Sequence, residues 1–313
     1  MKVSVIINVS DSDKDISIKS GKDVYYVLSK HYTTTIVVLN HDKLIVVDEK
    51  FNCIEDFKFN VDVAFLCCHG KNGEDGYLQT ILDNYNIPYT SPNALSSRIT
   101  FDKFITKKIC EYNDINVVKY MLYNKYLEYD VIVKDLGNDL IIKPCNCGSS
   151  FGINYCHSKH EYNEMVQNSL QYDSSILIEQ KLNDFIELQL GIIEINNEMI
   201  IGKIGQITCE HFYSSDLKYN GNINYTFDIT INENIQHQLL TYSKKLWKVF
   251  KLNNMARFDF FIANGVIYLN EINTIPGLTK NSIFPNMFNY TYDEFILNIV
   301  ENIKNFYFIL LNS

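Results

Sequence analysis

No run of apolar residues in this 313-residue chain reaches the ~18–20 that cross a bilayer. The segment YDEFILNIVENIKNFYFILL is apolar at helical spacing, but Glu301, Asn302, Lys304 and Asn305 interrupt it, so it reads as a packing helix and no membrane partner is expected. The opening MKVSVIINVSDSD holds too short an apolar run for a signal peptide, and a cytoplasmic location is expected. Positive charge is in deficit: 28 Lys and Arg against 37 Asp and Glu leave a formal net charge of −9, which argues against nucleic acid as a partner. Zinc-ligand spacing is also missing. The cysteines (Cys53, Cys67, Cys68, Cys110, Cys145, Cys147, Cys156 and Cys209) fit no such pattern and read as reduced, partly buried thiols without a catalytic role. With 46% hydrophobic and 21% charged residues the chain is globular, and it is long enough for two or three compact domains.

What is present centres on MARFDFFIANGVIYLNEINTIPGLTKNSIFP, from Met255 to Pro285. It reads as two strands, a tight turn and a loop. Arg257 and Asp259 on the first strand, and Glu271 and Asn273 on the second, are each spaced i, i+2 and so project from one face of their strand. A two-residue Asn264-Gly265 turn would pair Ala263 with Val266 and put Asp259 and Glu271 on opposite faces. A three-residue loop of Ala263, Asn264 and Gly265 would pair Ile262 with Val266 and bring all four polar residues to one face, with Gly265 supplying the positive φ. The three-residue loop is therefore expected. Two carboxylates and an amide then converge as oxygen ligands of the kind that suits Mg²⁺. Any one of these residues alone would favour a solvated, charged sheet face; the polar, turn-rich segment from Thr274 to Ser282 shifts the balance to a site.

The string NEINTIPGLTKNSIFP closely resembles the C-terminal signature of the D-alanine–D-alanine ligases, members of the ATP-grasp superfamily, and the resemblance extends over essentially residues 3–300. It implies an α/β ATP-grasp fold with an N-terminal doubly wound parallel α/β substrate domain (1–92), a central lid domain (93–181) and a C-terminal catalytic domain (182–313). It also implies a reaction: ATP-dependent ligation of two D-alanines for peptidoglycan precursor synthesis, with ATP and two Mg²⁺ ions (Mn²⁺ able to substitute), by a homodimer.

In chain order, residues 3–9 form a continuous apolar strand. A helix follows from Ser17 to His31, then strands over 36–39 and 62–67, an alternation that marks an α/β unit with ligands at the strand carboxyl ends. Asp13 stands where the family usually has a Glu that orients the first D-alanine, and Asp15 is the nearby alternative. CHGKNGEDGYLQ (68–79) resembles a family segment in which His69 would stand near the substrate carboxylate, while Glu74 and Asp75 would open the next helix. Residues 101–112 read as a helix carrying Lys103, which matches a phosphate-binding lysine.

In DLIIKPCNCGSSFGINY (139–155) a strand ends on Lys143 before a Gly- and Ser-rich loop. This is neither a Walker A loop nor a dinucleotide fingerprint; it resembles the ATP-grasp flap. Lys143 would contact ATP phosphates, and Ser149 would help hold a substrate network. In SSILIEQKLNDFIELQLGII (174–193), by resemblance, Glu179 accepts from the adenine amino group, the backbone at Lys181 and Leu182 reads the ring edge, and Glu187 holds the ribose. GQITCEHFYSSDLKY (205–219) resembles the mobile loop: Lys218 would reach the γ-phosphate, and Tyr219 would cover the second subsite and link to Ser149 and Asp13. A helix over 233–251 leads into the hairpin.

The resemblance assigns the metal to Asp259, Glu271 and Asn273, the developing oxyanion to Arg257 and the Gly277 N–H, and the second substrate's carboxylate to Ser282. Tyr219 with Ile283 beside the serine is the D-alanine-like pair. A D-Ala–D-Ser ligase, a non-catalytic ATP-binding relative and an ATP-grasp ligase for another peptide remain as alternatives.

Overall fold

The computed structural model describes residues 1–10, 13–208 and 224–312. The apolar run near the N-terminus becomes strand β1 (Lys2–Asn8), buried at every position after the first because the sheet is covered on both faces. Helix α1 (Lys14–Leu28) crosses over to β2 (Thr33–Asn40). It starts three residues before the position expected at Ser17, because Asp13 is its N-cap and accepts the Ser17 N–H on its carbonyl. Strands β3 (Lys43–Val47), β4 (Cys53–Asp56) and β5 (Val63–Cys67) complete a sheet of order β4-β3-β2-β1-β5. β1 pairs in parallel with β2 and β5, as expected for a doubly wound unit. The sheet is not parallel throughout, however: β3 and β4 extend it as an antiparallel meander. The turn into β3 holds His41 at φ 56°, and without a glycine or proline it gave no turn signal. Helix α2 (Tyr77–Asn84) follows the loop after β5.

The helix expected over 101–112 is α4 (Lys103–Tyr112), and a separate helix, α3 (Ala94–Phe101), precedes it. The break falls at Asp102, whose carboxylate caps α4 by accepting from the Phe104 and Ile105 N–H groups. An antiparallel sheet follows, built from β6 (Tyr120–Leu122), β7 (Leu140–Pro144), β8 (Asn154–Cys156) and β9 (Ile176–Gln180) in the order β6-β9-β7-β8. Helices α5 (Tyr129–Leu136) and α6 (Lys159–Leu170) bury Ile132, Leu136 and Val166 against Leu140, Ile142 and Ile178.

A third sheet comprises β10 (Phe185–Ile195), β11 (Glu198–Ile201), β12 (Gly205–Thr208), β13 (Asn224–Thr226), β14 (Met255–Ala263) and β15 (Val266–Asn273). Its order is β13-β12-β10-β14-β15, with β11 also on β10. Helix α7 (Glu233–Val249) covers one face, packing Leu239, Leu246 and Trp247 with Phe258, Phe260 and Leu269. The short α8 (Ile283–Asn286) and the terminal α9 (Tyr292–Asn312) return the chain to its start. Phe284, Phe295, Ile296 and Ile299 share one core with Val5, Ile7, Val24 and Phe65. The first and third sheets are thereby locked together. Among the described residues no helix is long and apolar enough to cross a membrane.

The hairpin corrects one expectation. The three-residue loop does not form. Ala263 pairs with Val266, and Asn264 and Gly265 make a two-residue turn with both φ values positive, 51° and 75°, as a type I′ hairpin turn requires. The four polar residues nevertheless share a face, because the register slips within the strands. Phe260 pairs with Leu269 but Asp259 with Glu271, which leaves Asn270 as the extra residue of a bulge. The buried positions of β15 carry the trace of that slip: Ile267 and Leu269 are two apart, Leu269 and Ile272 three. Nothing lies within 4 Å of a Cβ built on Gly265, so Gly265→Ala meets only the left-handed backbone. A loss of about 1–2 kcal/mol is expected, read as a lower urea midpoint at unchanged slope.

Candidate active site

The bulged hairpin and β10 form a polar floor. Register places Gln189, Asp259 and Glu271 in one row across three strands, and Arg257 with Asn273 in the adjoining row. Asp259 is buried and heavily hydrogen-bonded. Arg257 donates from Nε to its Oδ1 at 2.7 Å and from Nη2 to its Oδ2 at 2.8 Å. Asn273 Nδ2 and Gln189 Nε2 donate to Oδ2 at 3.1 and 3.2 Å. Arg257, expected at a developing oxyanion, is thus paired with Asp259 in the resting arrangement. With the Asn273 amide nitrogen turned to Asp259, its carbonyl oxygen joins the carboxylates as a hard donor, so the set fits a cation such as Mg²⁺ that keeps positions for phosphate oxygens. Among the described residues no group of three or more His, Cys, Asp or Glu could hold a metal, so any ion here would rest on two carboxylates and an amide.

Above the floor lies a cavity of about 840 Å³, lined by Lys103, Lys143, Glu179, Lys181, Leu182, Glu187, Asp259 and Glu271. Its remaining walls include Val118, Ile141, Phe151, Phe185 and Phe261, so a flat apolar group and a polyanion could both be held. Lys143 comes from the end of β7 and pairs with Glu179 Oε2 at 2.7 Å. Lys103 opens α4 and donates from Nζ to the Cys147 carbonyl at 2.6 Å, tying the flap to the helix. The left-handed positions of that flap are Ser149, Ser150 and Gly152, at φ 49°, 61° and 71°, not Gly148. Asp13 Oδ2 lies 3.4 Å from the place a Cβ on Gly148 would occupy, so flap and N-terminal loop meet here.

Sequence reasoning missed Lys107. It is one helical turn beyond Lys103, only 2% exposed, with Nζ 2.9 Å from Glu179 Oε1. The i, i+4 spacing was the available signal. Burial works against ionisation of Glu179, but the Lys107 and Lys143 ammoniums outweigh it and hold the carboxyl below its usual range. Burial pushes the Lys107 ammonium below its ordinary value as well, against the opposing pull of Glu179. The backbone expectation for Lys181 is narrowed, since its N–H donates to the Asp139 carbonyl at 2.9 Å. An adenine edge would therefore be read through the Lys181 carbonyl and Leu182. Glu187 accepts from Gln189 Nε2 at 3.3 Å.

A second group adjoins the floor. His69 is buried, with Nδ1 2.9 Å from the Ile275 carbonyl and Nε2 3.2 Å from Ser20 Oγ. Nδ1 must donate to that carbonyl, so Nε2 accepts the Ser20 hydroxyl, which in turn accepts the Leu278 N–H at 3.3 Å. Burial above all lowers the His69 pKa from 6.5 to about 4, with Asp13 opposing. A neutral imidazole with both nitrogens engaged braces the loop after β15 rather than offering a cation to a carboxylate. In that loop Ser282 Oγ accepts the Thr279 N–H at 3.1 Å and lies 2.7 Å from Thr279 Oγ1. A Cβ on Gly277 would stand 3.0 Å from the same Oγ. Ile283, expected at a substrate, is buried in the core, and a Cβ on Gly205 would stand 2.7 Å from its Cδ1. Lys218 and Tyr219 lie outside the described residues.

Glu74 does not open α2; Asp75 takes that place, accepting the Tyr77 N–H at 3.1 Å. Glu74 turns inward and accepts the Gly70 N–H at 3.0 Å. Burial, then the Asp13 and Glu271 carboxylates, raise its pKa from 4.5 to about 8, against the pull of the Gly70 hydrogen bond and Arg257. The native state therefore keeps a proton that the unfolded chain releases. The stability this gives is intact below about pH 4.5 and is lost as pH rises through about 8. Glu74→Gln is expected to flatten that limb in urea melts taken across pH; an unchanged limb would show that Glu74 is ionised.

A family model described as D-ala D-ala ligase C-terminus matches residues 109–301, and one described as D-ala D-ala ligase N-terminus matches residues 50–92. Among known proteins, the chain is similar to a D-alanine–D-alanine ligase of Clostridium perfringens, 32% identical over 310 residues that cover 96% of this chain and 97% of the relative. Among solved structures it is similar to D-alanyl-alanine synthetase A from Vibrio cholerae, with a TM-score of 0.85 and 22% identity over 97% of this chain and 98% of that one. It is also similar to the D-alanine–D-alanine ligase from Bacillus anthracis complexed with ATP, with a TM-score of 0.78 and 28% identity over 97% of this chain and 96% of that one.

Proposed function

Because the chain belongs to the D-alanine–D-alanine ligase family, ATP-dependent ligases of the ATP-grasp fold, we propose that it joins two D-alanines into D-alanyl-D-alanine for peptidoglycan synthesis. The observation that carries this reading is one cavity lined both by Lys103 and Lys143 and by Asp259 and Glu271, the donors and acceptors a metal–triphosphate needs.

In the proposed reaction a carboxylate oxygen of the first D-alanine attacks the γ-phosphorus of ATP. The bond to the β–γ bridging oxygen breaks, ADP leaves, and an acyl phosphate remains. The free amine of the second D-alanine attacks the acyl carbon, and the bond from that carbon to the phosphate oxygen breaks as phosphate departs, carrying off the proton that the nitrogen gives up. Mg²⁺, as two ions that Mn²⁺ can replace, supplies charge neutralisation at the triphosphate, and Asp259, Glu271 and Asn273 are the residues to hold it. Lys103, Lys143 and Lys218 serve the phosphates. Turning to them, Lys143 leaves Glu179, and Lys107 remains as the counter-ion that keeps Glu179 an acceptor for the adenine amino group. Lys181 and Leu182 read the ring edge and Glu187 holds the ribose. Arg257 and the Gly277 N–H stabilise the oxyanion. Ser282, its Oγ positioned by the Thr279 N–H, donates to the second substrate's carboxylate. Asp13 orients the first substrate, and Ser149 and Tyr219 close over both. The three units 1–92, 93–181 and 182–313 are proposed as its domains, and a cytoplasmic homodimer as its working form.

The test is phosphate release from ATP and Mg²⁺ with D-alanine alone, with added D-serine or D-lactate, and with L-alanine, each followed by product mass. Turnover with D-alanine alone, yielding the dipeptide, is expected. Turnover only with added D-serine keeps the family and changes the product; nucleotide binding without turnover under any condition rejects the enzyme.

A further inference from the structure

Gln189 stands in the floor row between two carboxylates of different purpose. It is 4% exposed, lies directly across from Asp259 on β14, and shares its strand face with Glu187, two residues back. Its amide nitrogen is 3.2 Å from Asp259 Oδ2 and 3.3 Å from Glu187 Oε1. A primary amide has two protons, and here both are directed at carboxylates. The neighbours fix which way the amide faces: turned over, it would set its oxygen against both carboxylates. The result is that Oε1 is buried without a hydrogen-bond partner. An unpaired buried carbonyl is a net cost, so this amide is held for what its nitrogen does.

We infer that Gln189 is a positioning residue that ties the carboxylate holding the nucleotide sugar, Glu187, to the carboxylate holding the divalent cation, Asp259, so that the two ligands bind as one. The inference rests on the proposed ATP and Mg²⁺ reading. Its physical content is charge and geometry. A neutral amide separates two negative groups without adding charge that would repel them or compete with the cation. Arg257 grips Asp259 from the other side, so the Gln189 nitrogen and the guanidinium together set the direction of the Asp259 lone pairs. Loss of such an outer partner typically weakens metal binding or activity by about 10–100-fold. Here the loss should fall on the nucleotide and the cation and spare the amino-acid subsites.

The experiment is calorimetric titration of the full chain with ATP, with and without Mg²⁺, together with the Mg²⁺ dependence and the D-alanine KM of turnover. Gln189→Leu removes the nitrogen and the unpaired oxygen together. It is expected to shrink the Mg²⁺ enhancement of ATP binding and to raise the half-saturating Mg²⁺ about 10-fold, with the D-alanine KM unmoved. Gln189→Glu preserves size and sets a third carboxylate in the row; it is expected to weaken metal-free ATP binding and steepen the Mg²⁺ dependence. Should the leucine variant fail to fold, the glutamate variant carries the test. Wild-type Mg²⁺ enhancement in a folded variant overturns the coupling while leaving the ligase reading in place. A fall in D-alanine affinity equal to that for Mg²⁺ also overturns it, as general damage to the site. A wild-type protein that binds no ATP rejects the nucleotide reading, and this inference with it.

Discussion

Arg257→Ala is expected to lower ligation by roughly 10²–10³-fold, the usual consequence of removing one donor from a developing oxyanion, while the protein stays folded. The structure explains why the fold should survive. Arg257 lies on the rim of the floor, and its partner Asp259 retains the Asn273 and Gln189 hydrogen bonds when the guanidinium is gone. Arg257→Lys should recover little, because an ammonium cannot reproduce the two parallel bonds from Nε and Nη2 to the two Asp259 oxygens. Phosphate release and a thermal melt on the same preparations decide the matter. Near-normal turnover in the alanine variant would remove Arg257 from the chemistry, and a collapsed melt would make it a structural residue.

Glu179→Ala should be among the most destabilising single changes, at about 3–5 kcal/mol, because it strands two buried ammoniums. Lys107 and Lys143 are 2% and 5% exposed, and both point at the Glu179 carboxylate. A buried ion pair need not stabilise a fold relative to an apolar substitute, but leaving one half behind is costly. The contrast gives the control. Glu179→Leu combined with Lys107→Met should be more stable than Glu179→Ala, since it removes one orphaned charge and fills the space. Urea midpoints at constant slope measure both; a double variant no better than the single one would show that Lys107 is not held by this pair.

Much of the site was legible in residues close together in the chain. Spacing of i, i+2 put Arg257 with Asp259 and Glu271 with Asn273, and the strand ending on Lys143 before a Gly- and Ser-rich loop announced a flap. Less legible was anything set by distant partners. Glu74 and Asp75 look alike as acidic residues ahead of a helix, yet Asp75 accepts the Tyr77 N–H at the start of α2 while Glu74 enters a pocket beside Asp13 and Glu271 and keeps its proton. Lys107 looks like one more surface lysine until β9 brings Glu179 to it. His69 was readable as a loop residue near a substrate, but not as a neutral brace, which depends on Ser20 and Ile275.

The sequence by itself determined β1, α1, β2 and β5 of the first unit, though not the β3–β4 meander between β2 and β5, together with the faces of the hairpin strands and the family, because these depend on local periodicity and on a contiguous string. Tertiary structure alone decided the rest. It placed the extra residue of the hairpin at Asn270 instead of in the turn, since register follows from which apolar side chains must meet α7. It brought Phe284 and Phe295 into the core of the N-terminal sheet, since burial of a helix face depends on what it packs against. It also set Gln189 between Glu187 and Asp259, since a hydrogen bond spanning 70 residues exists only once β10 and β14 are aligned.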